Sequence, residues 1–156
     1  MTFINSIRHF RTQLAISLLM LAAHGTGTAK ATWSFVLADS ETREVAVATV
    51  TCVENLDLLA VSPVVLVGQG AATCQAFADF EGIRRPIIRQ GFEQMLSPDD
   101  ILVDLEEISG HQQRQYGFAD VMGRTATFTG SLVVSQLPFA DGTTGSVGNL
   151  HYAIQG

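Results

Sequence analysis

Between Thr32 and the C-terminus, strand-like segments at both ends enclose a central stretch whose apolar residues recur at helical spacing. A chain that changes period in this way segregates sheet from helix, the pattern of an α+β domain. Trp33 to Leu37 is aromatic and aliphatic, the polar tract "ADSETRE" follows, and "VAVATV" resumes strand character. That order predicts an opening hairpin, with Asp39 and Glu41 shaping its turn. "LLAVSPVVLVGQGAATCQAF" predicts one or two further strands, broken at Pro63 and at Gly68 and Gly70.

The character changes after Asp79. Ile87, Ile88, Phe92, Met95 and Leu96 predict a helix with Pro86 in its first turn. "SPDD" at 97–100 predicts a second start, with Ser97 as cap, Pro98 at the first helical position, and Asp99 and Asp100 at the positive end of the dipole. Ile101, Leu102, Leu105 and Ile108 share its apolar face, and Gly110 ends it. The acids Asp99, Asp100, Asp104, Glu106 and Glu107 read as its solvated face rather than a metal site. "QYGFADV", "MG" and "RTATFTG" predict a second hairpin that bends at Gly123. "SQLPFADGTTGSVGN" reads as a long loop and "LHYAI" as a last strand, in the order β-β-β-α-α-β-β-β. That strand runs flush to Gly156, which reads as a fragment of a longer chain.

The first 31 residues have another character. Arg8 and Arg11 give a basic start, "LAISLLMLAA" is an apolar run too short to span a bilayer, and Ala29 and Ala31 form an A-x-A pair. That is the order of a secretory signal peptide over 1–31, which leaves a mature domain over 32–156 and a periplasmic or secreted location. Cuts after Ala23 or Ala29 also satisfy the small-residue rule, but only a cut after Ala31 leaves an N-terminal threonine. It removes three of the nine bases (Arg8, Arg11, Lys30) and no acid, so 15 acids face 6 bases, a charge of −9. Such a charge disfavours nucleic acid and anionic membrane surfaces as partners. The sequence carries no zinc pattern, P-loop or complete dinucleotide fingerprint, so neither metal nor cofactor is expected. Export would allow Cys52 and Cys74 to pair, although each lies in or beside an apolar segment, where a cysteine behaves as a small hydrophobe. His111 and His151 are the mature histidines, and nothing in sequence links them to a metal.

"ATWSFVLADSETREVAVA" resembles the opening of a bacterial family of uncharacterised function assigned to the N-terminal-nucleophile (Ntn) hydrolases. Thr32 to Val36, "DSET" and "EVAVA" match its successive parts. "AVSPVVLVGQGAATCQAF", "MLSPDDIL", "RQYGFADVMGRTATFTG" and "HYAIQG" resemble further family segments in register. The likeness covers nearly everything from Thr32 to Gly156. One segment departs: the family's Cys-x-x-Trp-Ala-Gly-His is replaced by "SLVVSQLPFADGTTGSVGNL", and Cys74 stands where the family tends to have Thr.

The resemblance implies a four-layer αββα sandwich with mainly antiparallel sheets, and Thr32 as catalytic nucleophile at the start of the first strand. A threonine hydroxyl needs a base, and an N-terminal threonine carries one as its own α-amine. The expected activity is therefore an exported amidohydrolase or acylase, acting on a small-molecule or peptide-like amide. Some relatives carry a module thought to bind peptidoglycan, which implies a cell-wall context, and many superfamily members form homo-oligomers. The alternative is a non-catalytic exported binding or accessory domain that keeps the fold. Ser34 would share a strand face with Thr32, Gln75 matches a family glutamine, and backbone N–H groups of residues 68–71 are candidate oxyanion donors.

Overall fold

The computed structural model describes residues 32–156. The leader expected over 1–31 lies outside the described residues. Thr32–Asp39 (β1) and Val45–Thr51 (β2) form the opening hairpin, in antiparallel register from Thr32↔Thr51 to Ala38↔Val45. Asp39 closes the turn by accepting the N–H groups of Thr42 and Glu41, which hold its carboxyl below the usual range.

Leu58–Val61 (α1) is a short helix where strand was expected, because the Asp57 carboxylate accepts the Leu59 N–H and caps it. Pro63 does not break a strand but opens one, Pro63–Leu66 (β3). An edge position makes its missing N–H harmless. Gly70–Ala76 (β4) follows, then the helices Arg84–Glu93 (α2) and Pro98–Glu106 (α3). The start of α3 is as expected, with Ser97 as cap and Pro98 in the first turn, and Asp100 further caps the Ser97 N–H in return. Gly110, at φ 79°, leads into a 3-10 turn at His111–Gln113 instead of ending α3, which stops earlier.

Arg114–Asp120 (β5) and Thr125–Thr129 (β6) form the second hairpin around Gly123, φ 82°. The predicted long loop differs most. It holds the end of a helix, Ser131–Gln136 (α4), and a strand, Gly142–Val147 (β7). The sequence "GTTGSV" has little strand propensity of its own, and pairing with Leu150–Gln155 (β8) makes it a strand.

The strands form two antiparallel sheets, in the orders β2-β1-β8-β7 and β3-β4-β5-β6, stacked as a sandwich. The layer between them is built from small side chains: Val36, Ala38, Ala71, Ala119 and Ala153. On the far face of the second sheet, Ile88, Phe92, Ile101 and Leu105 of the helices cover Ala72, Cys74, Tyr116 and Phe118. The outer face of the first sheet carries no helix among the described residues, and Trp33, Phe35 and Val50 stay exposed there. Three of the four expected layers are thus present in residues 32–156. Cys52 is exposed and Cys74 buried, and the two are not disulfide-linked to each other.

The start of α2 depends on Asp79, which is fully buried. Its carboxylate accepts the N–H groups of Ile83, Arg84 and Arg85 at 3.0–3.2 Å and faces the Arg84 and Arg85 guanidinium groups at 3.5 Å. Burial pushes its pKa up, but the N–H donors and the Arg85 charge outweigh it and leave the carboxyl lowered. A depressed carboxyl contributes stability that is complete above its unfolded pKa of about 3.9 and is lost as pH falls through the folded value. Urea unfolding midpoints should therefore drop steeply below about pH 4. Asp79→Asn should be less stable at neutral pH and should show a flatter acid limb; an unchanged acid limb would contradict this role.

Candidate active site

Thr32 opens β1 at one end of the sandwich, the end where β2, β4, β6 and β8 finish and β5 and β7 begin. Strand alternation turns Thr32, Ser34, Val36 and Ala38 toward the second sheet. Toward this end the layer between the sheets changes from alanine to hydroxyl and amide. Ser34, Thr73, Gln75, Gln115 and Gln155 are all buried there.

The half-buried Thr32 is held from two sides. Its Oγ1 lies 2.9 Å from Thr51 Oγ1, its cross-strand neighbour, and its carbonyl accepts from Gln75 Nε2 at 3.0 Å. The same Nε2 donates to Gln115 Oε1 at 3.0 Å. Because the Thr32 carbonyl can only accept, the nitrogen of Gln75 must be the atom facing it. The bond joins the two sheets at the first residue of β1. Gln75 Oε1 is buried and has no hydrogen-bond partner among the described residues.

A second group lies one step inward. Ser34 Oγ donates to Gln155 Oε1 at 2.8 Å, and Thr73 Oγ1 donates to it at 3.0 Å. The proton of Ser34 is therefore committed, and Ser34 does not reach Thr32 as an assisting group. Gln155 lies across Gly117, where a Cβ would overlap its amide. Among the described residues, the side chains of this set bond to neutral side chains or to backbone carbonyls that accept from them. The site is polar and uncharged.

The other expected residues fall elsewhere. Residues 68–71 lie at the opposite end of the sandwich, where Arg43 of the β1–β2 turn donates to the Gly68 carbonyl. Strand direction alone puts them a full strand length from Thr32, so they are not its oxyanion donors. His111 is buried against Phe128, with ring centroids 4.0 Å apart, whereas His151 bonds Ser40 at 3.1 Å. The two histidines are not brought together. No group of His, Cys, Asp and Glu side chains is arranged to hold a metal among the described residues. Burial, with the Asp79 charge behind it, pushes the Cys74 thiol up to about 12, so it is an inert core group. A cavity of about 220 Å³ beside Trp33, Ile154 and Thr143 lies on the outer face of the first sheet, which strand alternation separates from the Thr32 hydroxyl.

Sequence reasoning did not single out Thr51, Thr73, Gln115 or Gln155. Their signal is polar residues at alternate positions of otherwise apolar strands, Thr73 and Gln75 in β4 and Gln115 in β5.

The family model for DUF1028, a family of unknown function, matches residues 32–155. The chain belongs to this family. A comparison with curated proteins gives no match. Among solved structures, the fold is similar to the crystal structure of protein SPO2555 from Silicibacter pomeroyi, itself described as a DUF1028 protein. That likeness has a TM-score of 0.62 at 20% identity and covers 79% of this chain and 51% of the other. It shows a shared fold, and the chain spans about half the length of that relative. The expectation of a family of unknown function is met, and the match itself carries no link to the Ntn hydrolases.

Gly117→Ala should displace Gln155 and release Ser34 and Thr73. The expected loss in urea unfolding is about 1–3 kcal/mol, and a neutral result would contradict the packing of Gln155 on Gly117.

Proposed function

We infer that this member of the DUF1028 family is an exported amide hydrolase of the N-terminal-nucleophile type, with Thr32 as nucleophile and base. The observation that carries the reading is the place of Thr32. It is the first residue of β1, half-buried, at the sandwich end where the two sheets meet in a polar, uncharged layer. The four-layer Ntn architecture belongs to the same reading: two antiparallel sheets and one helical layer support it.

Freed by a cut after Ala31, the nitrogen of Thr32 becomes an amine with an ordinary pKa of about 7.7–8.0. Partial burial disfavours its ammonium form. The amine takes the hydroxyl proton, directly or through water, as Oγ1 attacks the amide carbonyl carbon. The tetrahedral intermediate collapses with cleavage of the C–N bond, and the proton passes to the leaving amine. A water then attacks the Thr32 ester while the amine accepts its proton. The C–O bond to Thr32 breaks, the acid departs, and Oγ1 regains a proton. Gln75 fixes the carbonyl of Thr32, and Thr51 with the β-branched χ1 limits the directions open to its hydroxyl. The substrate class is a small-molecule or peptide-like amide, and a cell-wall source suits an exported protein.

One observation favours a second reading, a non-catalytic exported binding domain. The partners of Thr32 among the described residues are Thr51 and Gln75, and neither accepts a proton at neutral pH. Without the freed amine, nothing at this site acts as a base.

N-terminal sequencing of the exported protein should begin Thr-Trp-Ser-Phe-Val. The kcat/KM for amide hydrolysis should rise with pH through an apparent pKa near that of an α-amine, and Thr32→Ala should abolish it while leaving the fold intact. A mature chain that retains Ala31, or a Thr32→Ala variant that still hydrolyses amides, would contradict the proposal.

A further inference from the structure

Gln75 meets the first residue of β1 with one of its two polar atoms unused. Its Nε2 donates to the Thr32 carbonyl and to Gln115 Oε1, each at 3.0 Å, which commits both of its hydrogens. Its Oε1 is buried and has no hydrogen-bond partner among the described residues. A buried acceptor without a donor is costly, so one beside a candidate nucleophile calls for a donor that the site itself supplies.

The orientation of this amide is locked. Gln115 Nε2 donates to Thr129 Oγ1 and to the carbonyls of Asp141 and Gly156, at 3.2–3.4 Å, which leaves Gln115 Oε1 as the atom facing Gln75. Turning the Gln75 amide over would set its oxygen against two acceptors, Gln115 Oε1 and the Thr32 carbonyl. An extended residue turns its own N–H and C=O toward the same edge of the strand, which is why paired strand residues exchange two bonds. The amide that meets the Thr32 carbonyl therefore stands on the edge toward which the Thr32 nitrogen donates. Its donor and acceptor, about 2.3 Å apart by standard bond lengths, are what a partner strand would offer there. β8 offers neither at Thr32, since it pairs with β1 only over Ser34–Asp39.

In the uncut chain the Thr32 nitrogen has a single N–H, fixed in the peptide plane, and Gln75 Oε1 goes unmet. A cut after Ala31 makes that nitrogen tetrahedral, free to rotate about its bond to Cα, with two hydrogens when neutral and three when charged. We propose that Gln75 positions the freed amine of Thr32, its Oε1 accepting an amine N–H while its Nε2 holds the carbonyl. This step rests on the N-terminal-nucleophile reading above. With one N–H held, the rotation of the nitrogen is restricted and its lone pair is left for the Thr32 hydroxyl. Gln75 touches no substrate and acts through Thr32.

The side chains that meet this site are uncharged: Thr51 of β2, Gln75 of β4, Gln115 of β5 and Gln155 of β8. Asp141, before β7, brings a carboxylate to this end, where it accepts the Gly142 N–H at 2.7 Å. Arg114 and His111 stand on the helical side of the second sheet, against Phe77 and Phe128. A hydrogen bond from Oε1 is stronger to the ammonium form than to the neutral amine.

Carbon-13 NMR of glutamine-labelled protein reads that bond without catalysis or substitution. In the processed chain the Gln75 Cδ resonance should titrate in one step with a midpoint at about 7–8, the range of an α-amine, and Gln155 Cδ should not. In a chain that keeps Ala31 ahead of Thr32, the Gln75 step should vanish. A Gln75 Cδ that does not titrate in the processed chain, or that titrates equally with Ala31 present, would overturn the positioning role. Gln75→Met supplies the kinetic arm, with p-nitroacetanilide as substrate. Its kcat should fall at least about tenfold with little change in KM, and the midpoint of its kcat/KM profile should move to lower pH, because a bond that favours the charged amine is gone. A residue that only holds the carbonyl would leave that midpoint in place, and this result would also overturn the proposal. Titration of Gln75 in a processed chain that hydrolyses no amide keeps Gln75 as the holder of the amine and overturns the hydrolase reading instead.

Discussion

The two sheets of this protein can approach closely because the residues between them are small. Val36, Ala38, Ala71, Ala119 and Ala153 form its apolar part, and Gly117 leaves room for the amide of Gln155. Close approach lets side chains of one sheet bond directly to the other. Gln155 of the first sheet crosses Gly117 of the second, and Gln75 of the second reaches the backbone of the first residue of β1. Larger residues in the middle of the layer would hold the sheets apart and leave these amides buried without partners, which is costly. The uncharged site around Thr32 is a consequence of that packing.

The same constraint explains the division of labour between the faces of β4 and β5. Alternation sends Thr73, Gln75, Gln115 and Gly117 into the polar layer, and sends Cys74, Tyr116 and Phe118 under the helices. One face positions Thr32 while the other provides most of the buried apolar surface. The charged cluster of Asp79, Glu81, Arg84 and Arg114 belongs to the helical side and braces Phe77, away from the threonine. Its charges therefore stay out of the layer in which a terminal amine would act.

Much of the fold was legible in the sequence. The opening hairpin, the helix start capped by Ser97 and the hairpin at Gly123 rest on local rules, and each stands where those rules placed it. What escaped depended on distant partners. The strand character of residues 142–147 comes from pairing with β8, and α1 depends on one cap at Asp57. At the site, Thr32, Ser34 and Gln75 could be singled out by residue type and family likeness. Gln115 and Gln155 carry only the weaker signal of a polar residue in a strand, because a glutamine there reads as surface until the second sheet is in place. The oxyanion role expected of residues 68–71 failed on the direction of the chain, since a strand that ends beside Thr32 must begin far from it.

The central claim concerns one hydroxyl made nucleophilic by its own residue's nitrogen. Intact-protein and peptide mass spectrometry of the exported form, after treatment with a β-lactone acylating probe, tests it most directly. The account predicts a single adduct on Thr32, absent from the unprocessed precursor. Absence of an adduct on the mature chain, or adducts spread evenly over its serines and threonines, would contradict it.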